Sequence, residues 1–349
     1  MNEFRWQEEN ILEKRIKIQP FDPVKASSSK DILEMLETCA FQGRKLAMAH
    51  KIWKKMIDID AVKILTLSGA IVPAGMGEII IQLIENRLVD VIITTGANMA
   101  HDLVNALSEN LQGHYVGCDG VNDYDLKKYR VNRIYDVFVP ETYYEIAEEW
   151  LVSKLDDIEC FKLITPFDFH KWIGKLLSEE KRRCILSAAA ENEIPIFCGA
   201  FSDSEIALDI AKHRKEKGIT KLIIDEMGDI NKYSDFIVQN CADAPSGKGR
   251  KSGIIILGGG MPRNWGQQIW PFLDMLDYEG EIGFNFTIRI CTDVFPGYGN
   301  LSSSTESEGE TWQKYVTGAE KAEVACDITI ALPLLASALL MRKEKEKRL

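Results

Sequence analysis

A doubly wound α/β fold on a mostly parallel sheet is the architecture the sequence predicts, on two observations. Short apolar runs such as Val91-Ile92-Ile93 and Ile254-Ile255-Ile256-Leu257 are hydrophobic at consecutive positions. Strands of that kind are covered on both faces, which is the position of parallel strands between two helix layers. The runs also alternate with amphipathic stretches long enough for crossover helices, and in such folds ligands bind beyond the carboxyl ends of the strands.

The elements follow in order. Residues 1–55 are expected to form a helical arm, in which Ser27, Ser28 and Ser29 can cap a helix carrying Ile32, Leu33, Leu36, Cys39 and Ala40 at helical spacing. Residues 56–349 are expected to form one α/β domain. Strands are predicted at 62–67, 89–94, 194–198, 221–224, 253–257, 284–290 and 324–330, and crossover helices at 77–87, 100–108, 204–217 and 230–240. Three predicted strand ends carry small polar loops: Ser68-Gly69-Ala70, Thr94-Thr95-Gly96-Ala97-Asn98 and Gly258-Gly259-Gly260. A longer Gly/Ser-rich loop spans residues 292–305.

Composition narrows the function. The 349 residues hold 42 Lys and Arg against 53 Asp and Glu, a formal charge of −11, which disfavours nucleic acid as the main partner. No apolar run reaches the roughly 18 residues of a membrane span, and the amino terminus MNEFRWQEENILEKR lacks the apolar core of a signal peptide. The eight cysteines contain no C-x-x-C pair, and the five histidines no H-x-x-x-H, so neither a zinc site nor a disulfide framework is expected. A cytoplasmic enzyme without a metal is the expectation.

Two segments invite chemistry. The glycine triplet at 258–260 follows a predicted buried strand and precedes a predicted helix, where backbone N–H groups can approach a pyrophosphate; a tight structural turn explains it equally well. The G-x-G-x-x-G spacing is absent, and Ser246–Ser252 lacks the spacing of a phosphate loop. In Glu308-Gly309-Glu310-Thr311-Trp312-Gln313-Lys314, a helix would place Glu308 and Trp312 on one face and Lys314 on another. For all three to meet one ligand, the chain must leave helical geometry near Trp312. The alternative is an amphipathic surface helix. The ligand reading suits an amine: Trp offers a π face, Glu a countercharge, and a desolvated Lys a neutral nucleophile.

Taken together, GGGMPRNWGQQ, GYGNLSSSTESEGETWQK and ACDITIALPLLAS resemble the deoxyhypusine synthase family. Its carboxy-terminal signature is a Gly/Ser loop, then E-x-x-x-W-x-K, then an Asp before a last apolar helix, and Glu308, Trp312, Lys314 and Asp327 fit without gaps. TLSGAIVPAG, IITTGANMAHDL and PIFCGAFSDSE resemble its other loops, so the resemblance spans roughly residues 28–341. It implies a Rossmann-like NAD-binding catalytic domain over residues 56–349 and a homotetramer with sites at subunit interfaces. It also implies an NAD-dependent aminobutyl transferase that moves the butylamine part of spermidine, or a related polyamine, through a lysine Schiff base. The implied acceptor is a lysine of the translation-factor 5A precursor.

By that resemblance Lys314 is the covalent residue, and Glu308, Trp312, His101, Asn264, Gly299, Asn300 and Leu301 meet the substrate. Ser68, Gly69, Ala70, Thr95, Gly96, Ala97, Asp203, Gly258, Gly259, Thr292, Asp293 and Asp327 meet NAD. The chain departs from the family where Ala100-His101 replaces a Glu pair, Leu301 an Asp, and Asn264 a His. Such changes are similar to those of the family's prokaryotic deoxyhypusine synthase-like branch. Lost carboxylates weaken the case for a long polyamine, so transfer to a free diamine such as putrescine, giving homospermidine, is a second expectation. A non-catalytic NAD-binding assembly protein is a third.

Overall fold

The computed structural model describes residues 12, 15–108, 113–218, 221–241, 249–293 and 306–347, with side chains as far as residue 341. Helices α1 (Ser29–Leu36) and α2 (Phe41–Asp58) come first, α1 capped by Ser28, which accepts from the Asp31 N–H. The first half of the sheet follows as β1 (Val62–Leu67), α3 (Gly77–Glu85), β2 (Val91–Thr94) and α4 (Gly96–Leu107). An excursion adds β3 (Tyr115–Val116), α5 (Asp123–Lys128), β4 (Val131–Ile134), β5 (Val137–Pro140), α6 (Glu141–Asp156), β6 (Lys162–Ile164), α7 (Pro166–Glu179) and α8 (Ile185–Glu191). Next come β7 (Ile196–Phe197), α9 (Glu205–Lys217), β8 (Leu222–Ile224) and α10 (Glu226–Asn240). The second half is β9 (Ser252–Leu257), α11 (Gly260–Gln267), α12 (Ile269–Met275), β10 (Phe284–Ile290), β11 (Tyr315–Val324) and α13 (Ile328–Lys347).

Six strands form one sheet in the order β11-β10-β9-β1-β2-β7, and every neighbouring pair is parallel. Counted from β7 by their succession within the sheet, the strands run 3-2-1-4-5-6, the Rossmann order, with the reversal between β1 and β9. Successive side chains of a strand point to opposite faces, and the core divides accordingly. Leu65, Leu67, Ile92, Ile255, Leu257, Ile288 and Ile290 face one apolar layer that includes Trp53 of α2 and Leu332 of α13. Ile64, Val91, Ile93, Ile254 and Ile256 face another, with Tyr233 of α10 and Ile269, Trp270 and Leu273 of α12. The doubly wound α/β fold is therefore the observed one.

Two strand assignments need correction. The run at 324–330 is not a strand: Val324 ends β11, and Ile328 begins α13. The real strand lies upstream, where Thr317, Glu320, Lys321 and Glu323 conceal it; β11 is a sheet edge and half exposed, so its sequence need not be apolar. The run at 221–224 does form β8, but it pairs with β6 in a separate two-stranded sheet.

Candidate active site

All six parallel strands end at one edge of the sheet, and every residue assigned to the cofactor lies along it. Ser68–Ala70 follow β1, Thr95–Ala97 follow β2, Asp203 follows β7, Gly258 and Gly259 follow β9, Thr292 and Asp293 follow β10, and Asp327 follows β11. Ser68, Gly69, Ala70, Gly258, Thr292 and Asp327 line a single cleft of about 1260 Å³. Its centre is the topological reversal. There Ser68 Oγ donates to the Leu257 carbonyl (2.7 Å) and accepts the Gly259 N–H (2.9 Å), tying the two halves of the sheet together. Gly258 sits at φ +93°, and a Cβ on it would lie 1.9 Å from Ser68 Oγ, so this close approach requires glycine. Asp327 accepts from the Thr329 N–H (2.8 Å) and hydroxyl (2.6 Å), which hold its carboxyl below the usual range.

Thr95, Gly96, Ala97 and Asp203 occupy the same edge but do not line that cleft. Thr95 caps α4 by accepting from the Asn98 N–H, and Gly96 packs so tightly on Ser204 that a Cβ would sit 2.5 Å from its Cβ. Ala97 and Asp203 are exposed, and the Asp293 N–H turns back onto Cys291 Sγ (3.3 Å).

Lys314 lies elsewhere. Residues Glu308–Trp312 form a 3₁₀ turn, Gln313 reverses the chain at φ 57°, and β11 starts at Tyr315. The chain thus leaves helical geometry just after Trp312, and Glu308, Trp312 and Lys314 line one cavity of about 600 Å³. Gly309 makes the turn possible, because a Cβ there would lie 2.6 Å from the Tyr315 ring. The opposite wall comes from α10, α11 and α12: Tyr233, Arg263, Asn264, Trp265, Ile269 and Phe272. Tyr233 and Trp265 stack with ring centroids 5.4 Å apart.

The amine of Lys314 donates to Asn264 Oδ1 (3.1 Å), a neutral acceptor. Burial pushes its pKa down, and the nearby Arg263 cation pushes it further, while Glu306 and Glu308 pull the other way. Trp312 stands on the rim with 63 % of its surface exposed, so in one chain it does not seal the amine from water. The sequence picked out Lys314, Trp312, Glu308 and Asn264 of this pocket. It missed Trp265 and Arg263, which lie one residue either side of Asn264, and Tyr233 and Phe272, which carry no local signal.

His101 does not join either group. It lines neither cavity and instead shares a hydrogen bond with His114 (Nδ1 to Nε2, 3.1 Å), close to the Tyr144 hydroxyl (3.4 Å). His114, which the sequence reading missed, lines the cleft and bonds Asn105 Oδ1 (2.7 Å). Burial depresses both imidazoles to about 4, with mutual repulsion adding to the effect on His101, so both are neutral near pH 7. Asp102, the next residue, accepts the Ile185 and Leu186 N–H groups at the start of α8. Gly299, Asn300 and Leu301 lie outside the described residues.

The lysine pocket and the cleft are separate in one chain. They share no lining residue among those described. The Phe284 N–H bonds the Lys314 carbonyl at the start of β10, whereas the Gly258 N–H bonds the Ile290 carbonyl at its end. Those ends are roughly 20 Å apart at about 3.3 Å per residue. Moreover, the cleft opens over the layer containing α13 and the pocket over the layer containing α12.

Comparison with known proteins places this geometry. A sequence profile of deoxyhypusine synthase matches residues 31–339. A protein of Archaeoglobus fulgidus named probable deoxyhypusine synthase 1 is 36% identical over 312 residues, covering 89% of this chain and 94% of its own. A deoxyhypusine synthase-like protein of Chlorobaculum tepidum is 30% identical over 321 residues, covering 91% and 87%. The crystal structure of a candidate deoxyhypusine synthase from Entamoeba histolytica superposes with a TM-score of 0.59 at 18% identity, over 92% of this chain and 96% of that one. The AgrE complex with ornithine and NAD+ shares the fold at a TM-score of 0.51 and 14% identity, over 88% of this chain and 34% of that one. On the profile match over residues 31–339 and these relatives, the chain belongs to the deoxyhypusine synthase family.

Proposed function

We propose that this chain is an NAD-dependent aminobutyl transferase that carries the butylamine part of spermidine, or of a related polyamine, on Lys314 and delivers it to an acceptor amine. The observation that carries the reading is the state of Lys314: half-buried, lowered in basicity, and hydrogen-bonded to an amide oxygen, with no carboxylate on its amine among the described residues. An exposed lysine titrates near ~10.4 and is almost wholly protonated at neutral pH; this one holds more of the free amine that attacks carbon.

The carboxyl edge suits a dinucleotide. Gly258, kept bare by its contact with Ser68, lines the cleft, and the Gly260-led helix presents its N–H groups beside it. Ser68, Gly69, Ala70, Gly258, Thr292 and Asp327 would hold the cofactor, with Thr95–Ala97, Asp203, Gly259 and Asp293 along the same edge. NAD, when bound there, would supply the hydride acceptor for the carbon beside the donor's secondary amine and the hydride donor for the product.

The protein's own part is then nucleophilic and steric. Lys314 attacks the donor's imine carbon, the carbon–nitrogen bond to the departing diamine breaks, and a butylimine remains on Nζ. The acceptor amine displaces Lys314 by the same exchange. Trp312, Trp265 and Tyr233 supply π faces for the alkylammonium chain, and Glu308, exposed at the rim, a countercharge for its distal end. Since cleft and pocket are separate in one chain, the reading requires a second copy to bring its cleft to this pocket. This supports the homotetramer with shared sites that the family resemblance implies.

The acceptor in this reading is a lysine of the translation-factor 5A precursor. Transfer to putrescine is a second reading, favoured by Ala100 and His101, the latter neutral and hydrogen-bonded to His114, standing where the hypusine-forming pattern carries a Glu pair. Incubation of the pure protein with NAD and spermidine, putrescine or agmatine, with and without the protein acceptor, followed by mass spectrometry of all amines, tests both. Homospermidine formed without the protein identifies the second reading, a butylated lysine the first, and no turnover with any donor refutes both.

A further inference from the structure

Beneath the lysine pocket lies a buried carboxylate that no step above uses. Glu306 has no exposed surface, and it accepts from Arg263 Nε (2.8 Å) and Gln267 Nε2 (2.9 Å) of α11, from the Tyr315 hydroxyl of β11, and at 3.4 Å from Arg289 Nη1 of β10. Its own N–H donates to Glu323 Oε1 (3.1 Å). An ionised carboxylate out of water is retained only where such partners compensate its desolvation. Two of the partners border the lysine: Arg263 is a wall of its pocket, and Tyr315 is the next residue in the chain.

We propose that Glu306 is a positioning residue of the Lys314 pocket: by fixing Arg263 and Tyr315 it sets where the lysine amine sits and how near a second positive charge stands to it. The inference deepens the reading of Lys314 as the reacting amine and rests on it. The groups around Lys314 are few. Arg263 and Asn264 come from α11, Glu308 from the 3₁₀ turn, Glu306 and Tyr315 from below, and Tyr233 from α10, whose hydroxyl bonds the Gly266 carbonyl (3.3 Å). Arg263 disfavours the ammonium form, whereas Glu306 and Glu308 favour it. Neutralising Glu306 therefore withdraws the larger of the two attractions and leaves Arg263 opposed by Glu308 alone; neutralising Arg263 acts in the opposite sense.

The test uses the full-length protein without cofactor or donor. Trace acylation by acetic anhydride at a series of pH values, with peptide mass spectrometry, reads the titration of Lys314 whether or not any transfer occurs. Glu306→Gln is expected to lower the midpoint of Lys314 acylation by on the order of one pH unit. Arg263→Gln should raise it, and Glu306→Asp, which keeps the charge on a shorter arm, should fall between wild type and Glu306→Gln. A purely structural role lowers the yield of folded protein without opposite shifts. An unchanged midpoint in Glu306→Gln, or shifts of the same sign for the Glu306 and Arg263 variants, overturns the proposal. Should Glu306→Gln fail to fold, a wild-type midpoint in Glu306→Asp overturns it equally. If the wild type instead forms no trapped adduct on Lys314 during turnover, the transferase reading fails while the acylation series still judges Glu306.

Discussion

Gly258 is where the fold and the proposed cofactor site both call for glycine, and Gly258→Ala tests the two together. An alanine at φ +93° costs about 1–3 kcal/mol of backbone strain. Its Cβ, 1.9 Å from Ser68 Oγ, must also expel the serine side chain. That breaks the bonds to the Leu257 carbonyl and the Gly259 N–H, each worth about 1 kcal/mol. The sum, about 3–5 kcal/mol, is a large part of the roughly 5–15 kcal/mol that holds a typical domain together, so the variant should fold but unfold at lower denaturant. Ser68→Ala loses only the two hydrogen bonds, about 2 kcal/mol, and the double variant Gly258→Ala with Ser68→Gly regains the room for the methyl group. Urea unfolding should therefore rank wild type above Ser68→Ala and both above Gly258→Ala, with the double variant less stable than additivity of strain alone but more stable than the sum of the single losses. Calorimetry with NAD should show at least tenfold weaker binding in folded Gly258→Ala. A loss below about 1 kcal/mol together with unchanged NAD affinity would refute both the strain and the cofactor assignment.

Other consequences are open to equally direct measurement. Lys314→Arg should abolish transfer and the borohydride-trapped adduct while still allowing donor-dependent NADH formation; an adduct mapped to another lysine rules out the assignment. Trp312→Ala, at a side chain 63 % exposed, should change stability by no more than about 0.5 kcal/mol yet raise the donor KM several-fold, and an unchanged KM removes Trp312 from the pocket's function. His101 and His114 are held neutral, with pKa values near 4 against 6.5 unfolded, so their contribution to stability is complete above pH 6.5 and is lost as pH falls towards 4. Asp102, raised to about 6, acts in the opposite direction, favouring the folded state below that pH. Comparing urea midpoints at pH 7 and 5, His114→Gln should lose less than wild type over that interval; an equal loss contradicts the depressed values.

Much of the architecture was legible because burial on both sheet faces leaves a strong mark. Val62–Leu67 and Phe284–Ile290 are fully buried along their length, and the sequence locates both without error. β11 was not legible, since an edge strand of alternating exposure, with charged residues opposite β10, carries no such mark. The lysine turn was half legible. E-x-x-x-W-x-K marks Lys314, but that Gln313 reverses the chain depends on Gly309 meeting the Tyr315 ring, a contact made across the turn. His101 shows the opposite limit: it follows a cofactor-type loop, yet its neighbour Asp102 is committed to α8, and the helix aims the imidazole at His114 instead of the lysine.

The separation of pocket and cleft also explains why motif spacing groups these residues in sequence but not in space. Ser68, Gly258, Thr292 and Asp327 are collected by strand ends, so parallel pairing alone brings them together across 259 positions of sequence, from 68 to 327. Lys314 is placed by different means, at the amino end of β11 and against α11, which returns from the carboxyl edge along the sheet's other face. A single chain thus carries a lysine pocket and a strand-end cleft that share no lining residue among those described. In the proposed function an acceptor amine would reach Lys314 from the side where Trp312 is exposed, and a dinucleotide would reach Gly258 at the opposite end of the strands. Under the proposed function, joining them would require the pocket of one molecule to face the cleft of another. Covering Trp312 in that way would exclude the water that the isolated chain admits, and further lower the basicity of the lysine where the imine is presented.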